Sequence, residues 1–182
     1  MPVEVLINNA GFGKYGAFDQ VNLDEEIDLI NVNVRALHIL TKLFVKRFVE
    51  EDKGYILNVA SIARFISGPL FSSYYASKNY VLALTEAIHY ELKKKGANVN
   101  ITALCPGPVK TNFFAYAGFS KSLALFSMKS KNVASKAISG LFEGKAVIIP
   151  GVINKIAIFA SRLVPRSLVN QLVYLLQKAK TK

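Results

Sequence analysis

A single cysteine, two histidines and no tryptophan are found in these 182 residues. One thiol allows neither a disulfide framework nor a cysteine-based zinc site. Glycine (11) and proline (6) are too few for a collagen-like or low-complexity chain, and an apolar fraction of 52% excludes disorder. Long hydrophobic runs are missing as well. The longest stretch without a charged residue, 96–109, has 14 residues and includes Asn and Pro. A membrane-spanning helix needs about 20 mostly apolar residues. The sequence opens almost at once on the strand-like VEVLINN rather than on a charged and then apolar leader. The expectation is one soluble, cytoplasmic domain with a sizeable core.

Acidic residues are scarce in one half only. Residues 1–91 hold 8 Lys+Arg and 11 Asp+Glu, whereas residues 92–182 hold 15 Lys+Arg and the single acid Glu143. Such a basic half is either a solvated face or one drawn to an anionic membrane surface. Nucleic acid is not an expected partner, because zinc-finger spacing, a helix-turn-helix and aromatic RNA-binding patterns are all missing.

What is present alternates. Residues 3–8 and 55–60 read as buried strands, and 99–105 as a third, halted by Pro106-Gly107-Pro108. Between the first two, Asn22 is a helix cap with Glu25 as its capping-box partner. The apolar set Ile27, Ile30, Val34, Leu37, Leu40, Phe44 and Phe48 then carries a long helix to about Glu51. A second helix spans 72–95, its last turn rich in lysine, with Gly96 as the stop. A helix over 131–142 and a strand over 146–149 follow. This order predicts an α/β fold, with right-handed crossovers and a parallel sheet covered on both faces. The tail, 165–178, reads as an amphipathic helix with Leu168, Leu172, Leu175 and Leu176 on one stripe. That stripe suits packing on the chain's own sheet, a sister subunit, or a membrane surface.

Two motifs invite a chemical reading. Gly11-Phe12-Gly13-Lys14-Tyr15-Gly16 spells G-x-G-x-x-G, but no helix is predicted to open within it, so a tight loop fits better than a pyrophosphate cradle. Tyr74 and Lys78 stand four apart on one predicted helix, where an ammonium beside a phenol would lower its pKa and make it a proton donor or acceptor. Ser61 falls at the carboxyl edge of the sheet, where open α/β folds bind ligands. Cys105 reads as a core thiol, and His38 and His89 as ordinary helix residues without metal-ligand spacing.

Taken in order, Asn8-Asn9-Ala10-Gly11, Asn33 in its helix, Ser61, Tyr74 to Lys78 and Pro106-Gly107-Pro108-Val109-Lys110-Thr111 resemble the short-chain dehydrogenase/reductase family. The resemblance covers about residues 3–115, with Ala36 where the family often has Gly. It implies a Rossmann-like, doubly wound parallel sheet and hydride transfer between NAD(P)(H), NADP favoured, and a carbonyl/alcohol pair. By resemblance Tyr74 is the general acid/base, Lys78 lowers its pKa and holds the nicotinamide ribose, Ser61 binds the substrate oxygen, and Asn33 positions a water. Asn9, Ala10, Gly11, Pro106, Gly107, Val109 and Thr111 would lie along the cofactor. Residues 113–131, rich in Phe and Leu, would form a substrate lid over an apolar pocket, followed by carboxyl-terminal helices over 152–182. The substrate expected is a lipophilic carbonyl compound.

The family pattern begins with a strand, a TGxxxGxG turn and further βα units, and this sequence opens on the NNAG strand. The expectation is therefore an amino-terminally truncated, partial Rossmann-like domain over residues 1–182, homo-oligomeric when complete. The alternative is a catalytically inactive scaffold serving as a binding or membrane-peripheral protein, touching membranes through its basic carboxyl-terminal helices.

Overall fold

The computed structural model describes residues 3–118 and 127–179. Four parallel strands form one sheet in the order β1 (Val5–Asn8), β2 (Gly54–Val59), β3 (Val99–Leu104) and β4 (Val147–Ile148). Asn8 pairs with Asn58, and Asn58 with Ala103, so the carboxyl ends of the first three strands meet at one edge. β1 is an edge strand, and its Val5 and Ile7 are exposed.

Between β1 and β2 runs one helical path with an irregular middle: α1 (Leu23–Ile30), a π-helical turn (Asn31–Ala36) and α2 (Leu37–Glu50). Asn22 caps α1 by accepting from the Asp24 N–H at 2.8 Å, as expected. Glu25 does not close the capping box; its carboxylate bonds to Lys14 instead. The apolar periodicity placed the inward face only in part. Ile27, Ile30 and Leu40 are exposed, whereas Leu29, Asn33, Leu37, Thr41 and Phe48 are buried. Two polar residues hold inward positions because they are hydrogen-bonded there, which periodicity of apolar residues does not register.

α3 (Ser72–Lys95) keeps its predicted bounds and ends at Gly96, whose φ of +67° is the left-handed stop. Beyond β3 come α4 (Phe113–Tyr116) and α5 (Ser130–Phe142), then β4, α6 (Val152–Ser161) and α7 (Arg166–Ala179).

Strand alternation divides the core between two faces. Ile56 and Ile101 pack on Phe48 of α2 and Leu92 of α3. Leu57 and Leu104 face the other way, onto Val133, Ala137 and Leu141 of α5. One face is thus covered by α2 and α3, and the other is covered by α5 over β2 to β4 only, leaving Val5 and Ile7 of β1 open where full cover was expected. Since every crossover advances one strand in the same direction, the third, through α5, has the opposite hand to the first two. Uniform right-handedness therefore fails. Residues 105–129 separate β3 from α5, long enough to carry the chain around the sheet's edge to the far face.

A polar ladder crosses the interior of the first two strands. The Asn8 amide donates to Asn58 Oδ1 at 2.8 Å and to Thr41 Oγ1 at 3.1 Å. The Asn58 amide donates to Thr85 Oγ1 at 3.0 Å, and Thr85 donates to the Val81 carbonyl at 2.6 Å. All four side chains are buried and satisfied, tying β1, β2, α2 and α3 together.

Candidate active site

The carboxyl edge of the sheet opens on a cavity of about 1020 Å³. Ser61 follows β2 and begins a 3₁₀ turn (Ile62–Phe65), its hydroxyl accepting from the Ala63 N–H at 3.1 Å. α3 starts eleven residues later and presents Tyr74 and Lys78 on one face. The Tyr74 hydroxyl faces Ser61 across the wall of this cavity. Its ring stacks on Phe71 at 4.6 Å between centroids and lies 5.2 Å from Phe113.

Lys78 is buried beneath the sheet edge, and its ammonium donates to the Val59 carbonyl at 2.7 Å. It stands 5.9 Å from the Tyr74 ring centroid and does not pair with the phenol. The expected lowering of the tyrosine pKa is accordingly reversed. Burial pushes Tyr74 up to about 12, outweighing the opposing effect of Ser61. Burial also lowers Lys78 to about 8, with the nearby Cys105 thiol opposing it. Desolvation dominates both groups, and the spacing of the two residues in sequence says nothing about it.

Asn33 lies in the π-helical turn, fully buried. Its side chain holds both polar groups of Phe12, accepting from the N–H at 3.1 Å and donating to the carbonyl at 2.8 Å. It also donates to Ser77 Oγ at 3.1 Å. Asn33 thus braces the loop after β1 from behind and is not among the cavity's lining residues. Gly11 owes its identity to this crowding: a Cβ there would come within 2.9 Å of Asn33 Oδ1 and 3.3 Å of Lys78 Nζ.

The cavity brings together Asn9, Gly11, Ser61, Tyr74, Lys78, Pro106, Gly107, Val109 and Thr111. Ala10 is exposed and stays outside it. No helix opens within Gly11–Gly16; α1 begins only at Leu23. Of the expected lid, Phe113 and Tyr116 of α4 line the cavity, and Met128 pairs with Val109 beside it. The lid's Phe119, Leu123, Leu125 and Phe126 lie outside the described residues. Among the described residues no group of His, Cys, Asp and Glu is placed to hold a metal. His38 meets the Tyr80 hydroxyl at 2.6 Å and His89 the Ile101 carbonyl at 3.0 Å.

Sequence reasoning missed two residues. Gln177 of α7 donates to the Tyr75 hydroxyl at 3.0 Å, and both line the cavity. The other end of the amide, Oε1, is buried without a hydrogen-bond partner. The place of Gln177 one turn past Val173, on the inward face of a leucine-rich helix, was the available signal.

A family model described as short chain dehydrogenase matches residues 1–121. The ketoacyl reductase HetN of Nostoc sp. is 39% identical over 108 residues, 59% of this chain and 37% of that protein. A short-chain dehydrogenase from Sphingobium yanoikuyae, solved in complex with NADPH, aligns with a TM-score of 0.76 at 29% identity, over 88% of this chain and 63% of that one. The bulky-bulky ketone specific alcohol dehydrogenase from Comamonas testosteroni aligns with a TM-score of 0.69 at 28% identity, over 87% and 60%. This chain therefore spans less than two thirds of each of these three proteins. With its first 121 residues matched and the fold shared, the chain belongs to the short-chain dehydrogenase/reductase family.

Proposed function

We propose that this chain serves reversible hydride transfer between NADP(H), in preference to NAD(H), and a lipophilic carbonyl/alcohol pair. The observation that carries the reading is Ser61 and Tyr74 facing each other at the wall of a roomy cavity, with Lys78 buried behind them. Apolar walls support the substrate class: Phe12, Phe65, Phe71, Phe113 and Ile158 all line the space. So does the bulky ketone named for the Comamonas relative, as NADPH in the Sphingobium structure supports the cofactor.

The residues present fit the nicotinamide half of such a cofactor. An ammonium has three donors, and Lys78 commits one to Val59, leaving two for ribose hydroxyls. Asn9 and Gly11 offer backbone along one side, and Pro106, Gly107, Val109 and Thr111 along the other. The cofactor supplies the hydride. Ser61 orients the substrate oxygen by hydrogen bonding, Tyr74 gives that oxygen its proton, and Asn33 fixes the loop that keeps Gly11 close to Lys78. The aromatic walls exclude water from the reacting carbon.

Consumption of NADPH with a bulky aryl ketone and with a small polar ketone tests the reading. The expected result is a higher kcat/KM for the bulky compound, by at least about tenfold, the scale of one or two buried methylenes. Equal values for both ketones would refute the lipophilic assignment, and no NADPH-dependent reduction of either would refute the oxidoreductase assignment. The exposed apolar side chains of the carboxyl-terminal helices support peripheral membrane contact as part of the same reading.

A further inference from the structure

The carboxyl-terminal helices border the cavity on one side and leave a large apolar surface on the other. Ala157, Ile158 and Ser161 of α6 and Gln177 of α7 line the cavity. Opposite Ile158, α6 exposes Val152, Ile156 and Phe159, which helical spacing sets on one outer face. On α7, Leu168, Leu172, Leu175 and Leu176 are all more than half exposed, in a stripe beside the buried Val173 and Gln177. Leu163, between the helices, is 72% exposed. An apolar surface spread over two consecutive helices marks an interaction site rather than scattered surface residues.

The charge around this surface says what covers it. α6, α7 and the turn between them carry Lys155, Arg162, Arg166 and Lys178 and no Asp or Glu. A second copy meeting the same patch would set cation against cation. An anionic bilayer offers both things the patch lacks: hydrocarbon for the leucines and negative charge for the lysines and arginines. No helix among the described residues is long and apolar enough to cross a membrane, so the geometry is one of lying on the surface.

We infer that α6 and α7 lie on an anionic lipid surface, and that the cavity they border takes its lipophilic substrate from that bilayer. The docking half stands on the helices alone; the delivery half rests on the function proposed above. A ketone dissolved in hydrocarbon would then reach Ser61 and Tyr74 without crossing bulk water.

Flotation with phosphatidylcholine vesicles, with or without phosphatidylglycerol, tests the docking. The chain should float with the anionic vesicles, stay behind with the neutral ones, and be released at high salt. Lys155→Gln with Arg166→Gln should weaken anionic binding by about fivefold per charge removed. Phe159→Ser with Leu172→Ser should abolish it; these side chains are already exposed, so circular dichroism should be unchanged. Equal flotation with neutral vesicles, no flotation at all, or an oligomer that the serine variant dissolves would each overturn the docking. For delivery, the serine variant should lose reduction of a long-chain ketone held in vesicles while still reducing a water-soluble aryl ketone. Unchanged reduction of the vesicle-held ketone would overturn delivery. Failure to reduce either ketone, with flotation intact, would overturn delivery and the oxidoreductase reading but not the docking.

Discussion

Tyr74 is a phenol that burial keeps protonated to about pH 12. In that form it gives a proton to a carbonyl oxygen at neutral pH, whereas alcohol oxidation requires its proton to leave first. Oxidation should therefore quicken with rising pH over a range in which reduction stays flat, as initial rates in both directions between pH 7 and 10 would show. Tyr74→Phe keeps the ring against Phe71 and Phe113 but removes the proton. It should lower kcat by about 10² to 10⁴, the usual scale of general acid/base help. Lys78 and Tyr74 also leave opposite marks on stability. Between about pH 8 and 10.5 the unfolded chain holds a proton on Lys78 that the folded one has shed, so stability rises with pH there. Between pH 10 and about 12 the folded chain keeps the Tyr74 proton longer, so stability falls. Urea midpoints from pH 7 to 11 should lose the rising limb in Lys78→Met, where about 3 kcal/mol of desolvation is relieved at neutral pH. Parallel profiles for wild type and variant would count against it. The positions of both residues were legible in the sequence. The sign of the tyrosine shift was not, because desolvation depends on Phe71, Phe113 and the strand ends that close around it.

The helices were read best where one face decides everything. α3 needed only its lysine-rich last turn and Gly96 to be bounded correctly, and no neighbour lies within 4 Å of a Cβ built on that glycine. Gly96→Ala should then cost about 1 kcal/mol through backbone conformation alone, visible as a small drop in the denaturation midpoint with no change at the cavity. The segment from Leu23 to Glu50 was harder. Its π-helical turn inserts extra backbone that apolar periodicity does not announce, and it turns Asn33 inward to serve Phe12. Asn33→Ala would leave the Phe12 amide and carbonyl unpaired and cost about 2 to 4 kcal/mol, counting about 1 to 2 for each group. Asn33→Asp keeps an acceptor but loses the donor, so it should fall between wild type and alanine in thermal stability.

Topology was legible in its alternation of strands and helices and misjudged in its hand. The first two crossovers share one face of the sheet, while α5 covers the opposite one. The same unevenness sets where the fold opens first. β2, β3 and α3 share its tightest packing, whereas α6 and α7 bury only Ile158, Val173 and Gln177. Amide exchange should be fastest in α6 and α7 and slowest in β2, β3 and the middle of α3. Replacing Tyr75→Phe together with Gln177→Met removes a buried hydrogen bond and the unpartnered oxygen at once. That pair should be neutral or stabilising, where Tyr75→Phe alone should not.

The Asn8–Asn58 ladder has a consequence for how the strands find each other. Apolar β-branched strands slide easily, since Val, Ile and Leu accept one another at many offsets. An amide in the interior tolerates one offset only. If β1 slipped by a single residue along β2, Asn8 would lose Asn58 and Thr41 together, and its amide would be left without the partners it has in this register. The ladder therefore works as a key cut for one alignment. Because β1 runs straight into Asn9–Gly11 and β2 into Ser61, that alignment also decides whether Gly11 arrives beside Lys78 with Ser61 in reach of Tyr74. A mispaired chain would keep its hydrophobic interior and lose its chemistry.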